Sequence, residues 1–331
     1  MDFEIPRRLW TLLACILVSG VCSASLGAAA SAENIWLAAQ APYPPAGDPG
    51  RPDFMDLFNA RAPWPETSRV VKVVQLPTQF MAWVPDGQLR IIIDDLNRRG
   101  ISLGIESLAQ NGDNEPRCGQ RVEGYGHPKE VAAIAAKIQR VGGTLAYLAM
   151  DEPLTFGHFF NGPTACHSSV ADVAERVAEV LGEYRRVFPN VIIGDIEPGG
   201  AFRSPEWNAD YRQWVIDFRE KVGTPLSFLR LDIDWNDGDP RQAVDEGIAL
   251  ARDNGLKLQI IYNGRDTDKS DQAWIESAKA NIKLVESRLG GAADTVVFQS
   301  WAPHPTYLLP ETSPTTLTGL LAWYLRSSGH R

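Results

Sequence analysis

The chain has 331 residues, 44% of them hydrophobic and 22% charged, and its 41 Asp and Glu outnumber 32 Lys and Arg to give a formal net charge of −9. An acidic excess without any Lys/Arg cluster beyond isolated pairs such as Arg185-Arg186 argues against nucleic acid or another polyanion as ligand. The length exceeds a typical single domain, yet it suits one α/β barrel with no leftover piece and no linker-like stretch.

At the amino terminus Arg7 and Arg8 precede the apolar run 9–21, and Ala30-Ser31-Ala32 offers the small residues that a signal peptidase requires. The run is shorter than the ~20 residues that span a bilayer, and Ser19, Gly20 and Ser23 dilute it. Residues 1–32 are therefore expected to be a cleaved secretory signal, and residues 33–331 a single exported domain, periplasmic or extracellular, with no stable membrane insertion after cleavage. Lipid attachment at Cys15 would need an unusually short apolar core. Asp2, Glu4, Arg7 and Arg8 cancel, so the mature chain keeps its acidic excess. Cleavage removes Cys15 and Cys22 and leaves Cys118 and Cys166 as the remaining thiols in an oxidising compartment. A disulfide between them is expected to tie two polar loops, worth about 2 to 4 kcal/mol; two separate free thiols are the alternative.

Beyond an irregular, Pro- and Gly-dense segment at 41–52, apolar strand-like runs alternate with amphipathic helical stretches. In chain order the strands are expected at 34–40, 70–76, 101–108, 145–150, 191–196, 226–233, 256–262 and 295–301. Helices are expected at 128–141, 169–187, 209–222, 240–254, 271–289 and 315–325, several closed by Gly or Asn. Eight such units imply a (β/α)₈ TIM barrel. An open doubly wound sheet is the alternative, weakened by the lack of a Gly-rich phosphate loop after the first strands.

In a barrel of this kind the carboxyl ends of the strands carry function. Here they read Gln75, Glu106, Asp151 with Glu152, Asp195 with Glu197, Asp232 with Asp234 and Trp235, Tyr262 with Asn263, then Gln299 and Trp301. One such acid could be a helix cap or an ion-pair partner. Four successive acidic strand ends suggest a pocket in which mutual repulsion keeps some carboxyls protonated and so separates an acid from a base.

The segment Tyr147-Leu-Ala-Met-Asp151-Glu152-Pro153 resembles the Asn-Glu-Pro ending of the fourth strand in the large clan of retaining (β/α)₈ glycoside hydrolases. The resemblance implies a glycosidase in which Glu152 is the general acid/base, and Trp301 on the eighth strand agrees with it. Asp151 replaces the clan's Asn. The seventh strand departs further, because Gln259-Ile-Ile-Tyr262-Asn263-Gly264 offers no acid where the clan has its nucleophilic Glu.

Glycoside hydrolysis needs two carboxyls, about 5 Å apart for retention or roughly 6.5 to 9.5 Å for inversion. With Glu152 as acid, the partner is expected to be Glu197 or Asp232, each with a second acid two residues away (Asp195 and Asp234) that period-two alternation puts on its own face. Arg230 could orient or neutralise that group. Glu106, Asp151, Asp234, Trp235, Tyr262, Asn263, Gln299, Trp301 and His304 are expected to bind substrate, the aromatics by stacking on the C–H face of a sugar. Plugging of the barrel mouth is the simpler reading of those rings. The loops 112–126 and 155–167 are expected to shape the cleft, while His127, His158 and His167 read as solvent-facing loop residues. No cofactor and no metal is expected, and a carbohydrate is the expected partner. Two rival classes remain: a metal-dependent sugar-acting barrel with Glu106, Glu152, Glu197 and Asp232 around Mg²⁺ or Mn²⁺, and an exported sugar-binding barrel without hydrolysis.

Overall fold

A computed structural model describes residues 34–112, 118–290 and 293–327; the expected signal at 1–32 lies outside the described residues. Eight parallel strands close into a barrel in sequence order: β1 (Asn34–Ala38), β2 (Val71–Pro77), β3 (Ser102–Ser107), β4 (Leu145–Asp151), β5 (Ile192–Pro198), β6 (Phe228–Asp232), β7 (Lys257–Tyr262) and β8 (Thr295–Gln299). The ring closes where β8 pairs with β1, with Ala38 opposite Gln299. The strands are apolar on both faces because one face fills the barrel and the other meets the helices.

Inside, Trp36, Val73, Ala149, Ile196, Phe228, Ile261 and Val297 pack across the axis. Trp36 meets Tyr147 and Phe228 edge-on, with ring centroids 4.8 and 5.9 Å apart. Gly194 makes this possible: a Cβ there would lie 2.2 Å from the Phe228 ring. The larger core lies between the strands and the helical shell.

The helices follow the strands: a single turn α1 (Thr67–Val70), then α2 (Asp86–Arg99), α3 (Pro128–Arg140), α4 (Val170–Val187), α5 (Pro205–Val222), α6 (Pro240–Asp253), α7 (Asp271–Leu289) and α8 (Leu317–Ser327). Their starts are written locally. Ser169 forms a capping box with Asp172, and Ser204, Asp239 and Ser270 accept the amides of Trp207, Gln242 and Ala273, each cap contributing about 1 kcal/mol. Pro205 and Pro240 stand at the first helical turn, where no amide is needed. The first crossover is the irregular one. The buried Arg51 guanidinium anchors it by donating to the carbonyls of Ala302 and Pro303 beyond β8. No helix of the described residues is long and apolar enough to cross a membrane.

Candidate active site

Alternation along each strand decides which polar ends reach the barrel mouth. On β4, Tyr147 and Ala149 point into the barrel, so Asp151 follows at its rim. By the same count β2 delivers Gln75, β3 Glu106, β6 Arg230 and Asp232, β7 Gln259 and Asn263, and β8 Gln299. On β5 the inward residues are Gly194 and Ile196, and Pro198 reaches the mouth.

Asp195 and Glu197 therefore face the helical shell, and Glu197 is not a cleft residue as the sequence suggested. Asp195 accepts the indole N–H of Trp214 on α5 at 2.7 Å. Glu197, fully buried, accepts the amides of Leu154 at 2.9 Å and Thr155 at 3.3 Å and the Thr155 hydroxyl at 2.6 Å. Tyr262 is likewise outward: its ring packs against Phe298 and Tyr324, and its hydroxyl lies 3.5 Å from Glu286. His304 is turned away as well, because Asp271 at the start of α7 gathers its Nδ1 at 2.6 Å together with the amide and hydroxyl of Thr306.

The other expected residues converge. A cleft of about 560 Å³ is lined by Glu106, Asp151, Glu152, Asp232, Asp234, Trp235, Asn263, Gln299 and Trp301, with Glu123 and Asp266 added from rim loops. Trp235 donates its indole N–H to Asn263 at 2.6 Å. Trp301 is 40% exposed and donates to Asp266 at 3.0 Å. Glu123 and Asp266 escaped the sequence reading because neither ends a strand. Glu123 is brought in by Gly124, where a Cβ would lie 2.7 Å from the Asp151 carbonyl, so only glycine lets this loop rest on the end of β4. The rim is tied by a disulfide between Cys118 and Cys166, which joins the loops after β3 and β4, and by the Gly119 amide donating to Thr164 O.

Beneath the acids lies Arg230, fully buried, its guanidinium 4.8 Å from the Trp36 ring centroid. It donates to Gln75 at 2.6 Å and twice to Gln259, at 3.0 and 2.8 Å. Gln75 passes the polarity on to Glu106 at 2.6 Å, and Gln299 holds the same carboxyl oxygen at 3.1 Å. Burial lowers the Arg230 pKa to about 10 against the opposing pull of Glu106, Asp232 and Asp151. One cation underlies several acids, so the acids stay protonated beyond their usual range. Burial, then Asp232, Glu197 and Asp151, push Glu152 up to about 10. Burial and Glu106 raise Asp232 to about 8, and burial followed by Glu106 and Glu123 lifts Asp151 well above the ordinary carboxylate range.

Glu152 has φ +47°, a left-handed conformation that costs a non-glycine residue about 1–2 kcal/mol. The surroundings enforce it. Its amide donates to Ile196 O at 3.1 Å, its carbonyl accepts from Phe156 at 3.0 Å, and Glu197 clamps the Leu154 and Thr155 amides that follow it. Among the described residues no group of three or more His, Cys, Asp or Glu is arranged to hold a metal ion.

No protein-family model matches the chain, and no curated protein does. Solved structures do resemble it. GH5_18 from Streptomyces cattleya in complex with GlcNAc superposes with a TM-score of 0.54 at 12% identity, over 90% of this chain and 81% of that one. Xylanase 10B from Thermotoga maritima gives 0.52 at 11% identity, over 90% and 97%. A mutant xylanase A of P fluorescens subsp. cellulosa in complex with xylopentaose gives 0.52 at 12% identity, over 89% and 98%. At such low identity the likeness establishes the fold, a closed (β/α)₈ barrel of the kind those enzymes use.

Proposed function

We propose that the protein is an exported glycoside hydrolase acting on a poly- or oligosaccharide, with Glu152 as proton donor and Asp232 as its partner carboxylate. One arrangement carries the reading: Glu152 and Asp232 line the same cleft as Trp235 and Trp301, so acid, base and stacking surfaces meet in one space. The two acids differ as the chemistry requires. Glu152, raised to about 10, holds its proton at neutral pH and can pass it to the glycosidic oxygen. Asp232, at about 8, stands two residues beyond Arg230 on the same strand face and is the more readily ionised. As carboxylate it either bonds to the anomeric carbon or takes a proton from the attacking water. Asn263 occupies the inward end of β7, where the clan has its nucleophile, so the partner is drawn from β6. That the same barrel occurs in a xylanase with xylopentaose and a GH5 protein with GlcNAc accords with a carbohydrate substrate.

Export rests on the signal-like residues 1–32 and on the Cys118–Cys166 bridge, which suits an oxidising compartment. Sequencing of the secreted protein should start at Glu33. A screen of plant and bacterial polysaccharides with reducing-end detection should find turnover that survives exhaustive chelation. Glu152→Gln should then lower that turnover by roughly 10² to 10⁴-fold while folding and sugar binding persist, and Asp232→Asn should cost at least as much. Near-normal turnover by Glu152→Gln on a substrate with a poor leaving group would overturn the assignment. Binding without turnover by the unaltered protein would make it a sugar-binding barrel.

A further inference from the structure

Eight acidic side chains and no Lys, Arg or His line the cleft. An adjoining cavity of about 440 Å³ shares Glu106, Glu123 and Asp151 with it, adds Asp48, and again holds no basic residue. A third cavity, of about 620 Å³, shares Glu123 and Asp151 and does contain Arg121 and His127; three other cations around the cleft are engaged. Arg230 is sealed beneath by Gln75 and Gln259, Arg203 is paired with Asp237, and Arg51 is spent on the carbonyls of Ala302 and Pro303.

Among the described residues no hydrogen bond reaches the side chains of Asp151, Glu152 or Asp232. Arg230 attracts Asp151 and Asp232 from beneath, but burial and the neighbouring acids outweigh it and raise all three carboxyls. These three carboxyls are half-buried and open into the cleft, where their oxygens can accept from a ligand that donates. Sugar hydroxyls donate, but they bring no positive charge and leave the raised carboxyls protonated. An ammonium group donates three hydrogen bonds and also favours the ionised form of each carboxyl it meets. The faces of Trp235 and Trp301 attract a cation in addition to stacking on a sugar ring. A glycan carrying uronic acids would be repelled by the same wall.

We propose that the cleft recognises a glycan with free amines, built from unacetylated 2-amino-2-deoxy sugars, whose ammonium groups lodge among Asp151, Asp232, Asp234 and Asp266. This deepens the glycosidase reading and rests on it for the site, but binding tests it apart from turnover.

The experiment is calorimetric titration of the mature Glu152→Gln protein with oligosaccharides of one length. The probes are β-1,4-linked glucosamine and α-1,4-linked galactosamine oligomers, their fully N-acetylated forms, and neutral xylo-oligomers. At low salt an amine-bearing oligomer should bind at least tenfold tighter than its acetylated form, and the advantage should shrink toward 0.5 M salt as screening sets in. Asp234→Asn with Asp266→Asn keeps both carbonyl acceptors for Asn236 and Trp301 while removing two rim charges; the preference should fall by roughly threefold per charge. Equal or tighter binding of acetylated or neutral oligomers would overturn the proposal even if those glycans are hydrolysed. Tight, salt-sensitive binding of an amine oligomer that the unaltered enzyme never cleaves would uphold it and remove the glycosidase reading instead.

Discussion

Glu197 lies behind the strand wall, yet it determines how Glu152 is presented. Its two oxygens take up the Leu154 and Thr155 amides and the Thr155 hydroxyl, and that clamp holds the turn on which Glu152 adopts φ +47°. Three donors to one buried carboxyl stabilise its charged form, but burial dominates and its pKa rises to about 8. It also acts on Glu152 through space, since its charge is among the influences that raise the Glu152 carboxyl. On the proposed mechanism Glu197 is thus a positioning residue. Glu197→Gln keeps the volume and one acceptor, and kcat should fall by about tenfold, the scale seen when an outer-layer partner of a reacting group is lost. On the proposed mechanism the alkaline limb of the kcat profile is set by Glu152 losing its proton, and it should move to lower pH because a neighbouring negative charge has gone. A substituted protein with an unmoved limb and a lower melting temperature would mean that Glu197 only supports the fold.

At the scale of elements, the loops after β3 and β4 behave as one piece because the Cys118–Cys166 bridge closes a separation of 48 residues between them. That piece carries Glu123 and Gly124 against the end of β4. Thiol titration of the oxidised, denatured protein should find no free thiol among the mature residues. Replacing both cysteines by Ser should cost about 2 to 4 kcal/mol in denaturant unfolding, and KM should rise more than kcat falls, since the bridge fixes the rim and touches neither Glu152 nor Asp232. An unchanged KM would detach the bridge from the site. The strands were legible in the sequence to within a residue or two because every one is an apolar run between turn residues. Helix starts were legible where a capping residue stood alone: α7 begins at Asp271 as expected behind Ser270. The start of α5 was placed at 209 instead of Pro205 because aromatic and polar residues at 206–208 mask the amphipathic pattern, although Ser204-Pro205 is itself a start signal.

For the whole molecule, the acid cluster sets stability against pH. Glu152, Asp232 and Glu197 have native pKa values raised to about 10, 8 and 8, above the roughly 4 of an unfolded carboxyl. Groups raised in this way favour the native state fully below the unfolded value, and the contribution is lost as pH climbs through the native one. The melting temperature should therefore fall between about pH 5 and pH 9, and Glu152→Gln or Asp232→Asn should flatten that fall. A flat or rising profile in the unaltered protein would show that the acids are neutralised in another way. The sequence by itself determined the barrel, because alternating apolar runs and capped amphipathic helices are local signals, and it pointed to the cysteine pairing, because the expected signal cleavage would leave two thiols. It also supplied the roster of polar strand ends. Only the tertiary structure decided which of them share a cavity. Side chains alternate with a period of two along a strand, so whether Glu197 or Pro198, Tyr262 or Asn263, enters the mouth depends on the register of eight strands around a closed ring. Glu123 and Asp266 depend on loop paths that no periodicity describes, and the raised pKa values depend on burial and on how many acids the closed ring gathers above Arg230.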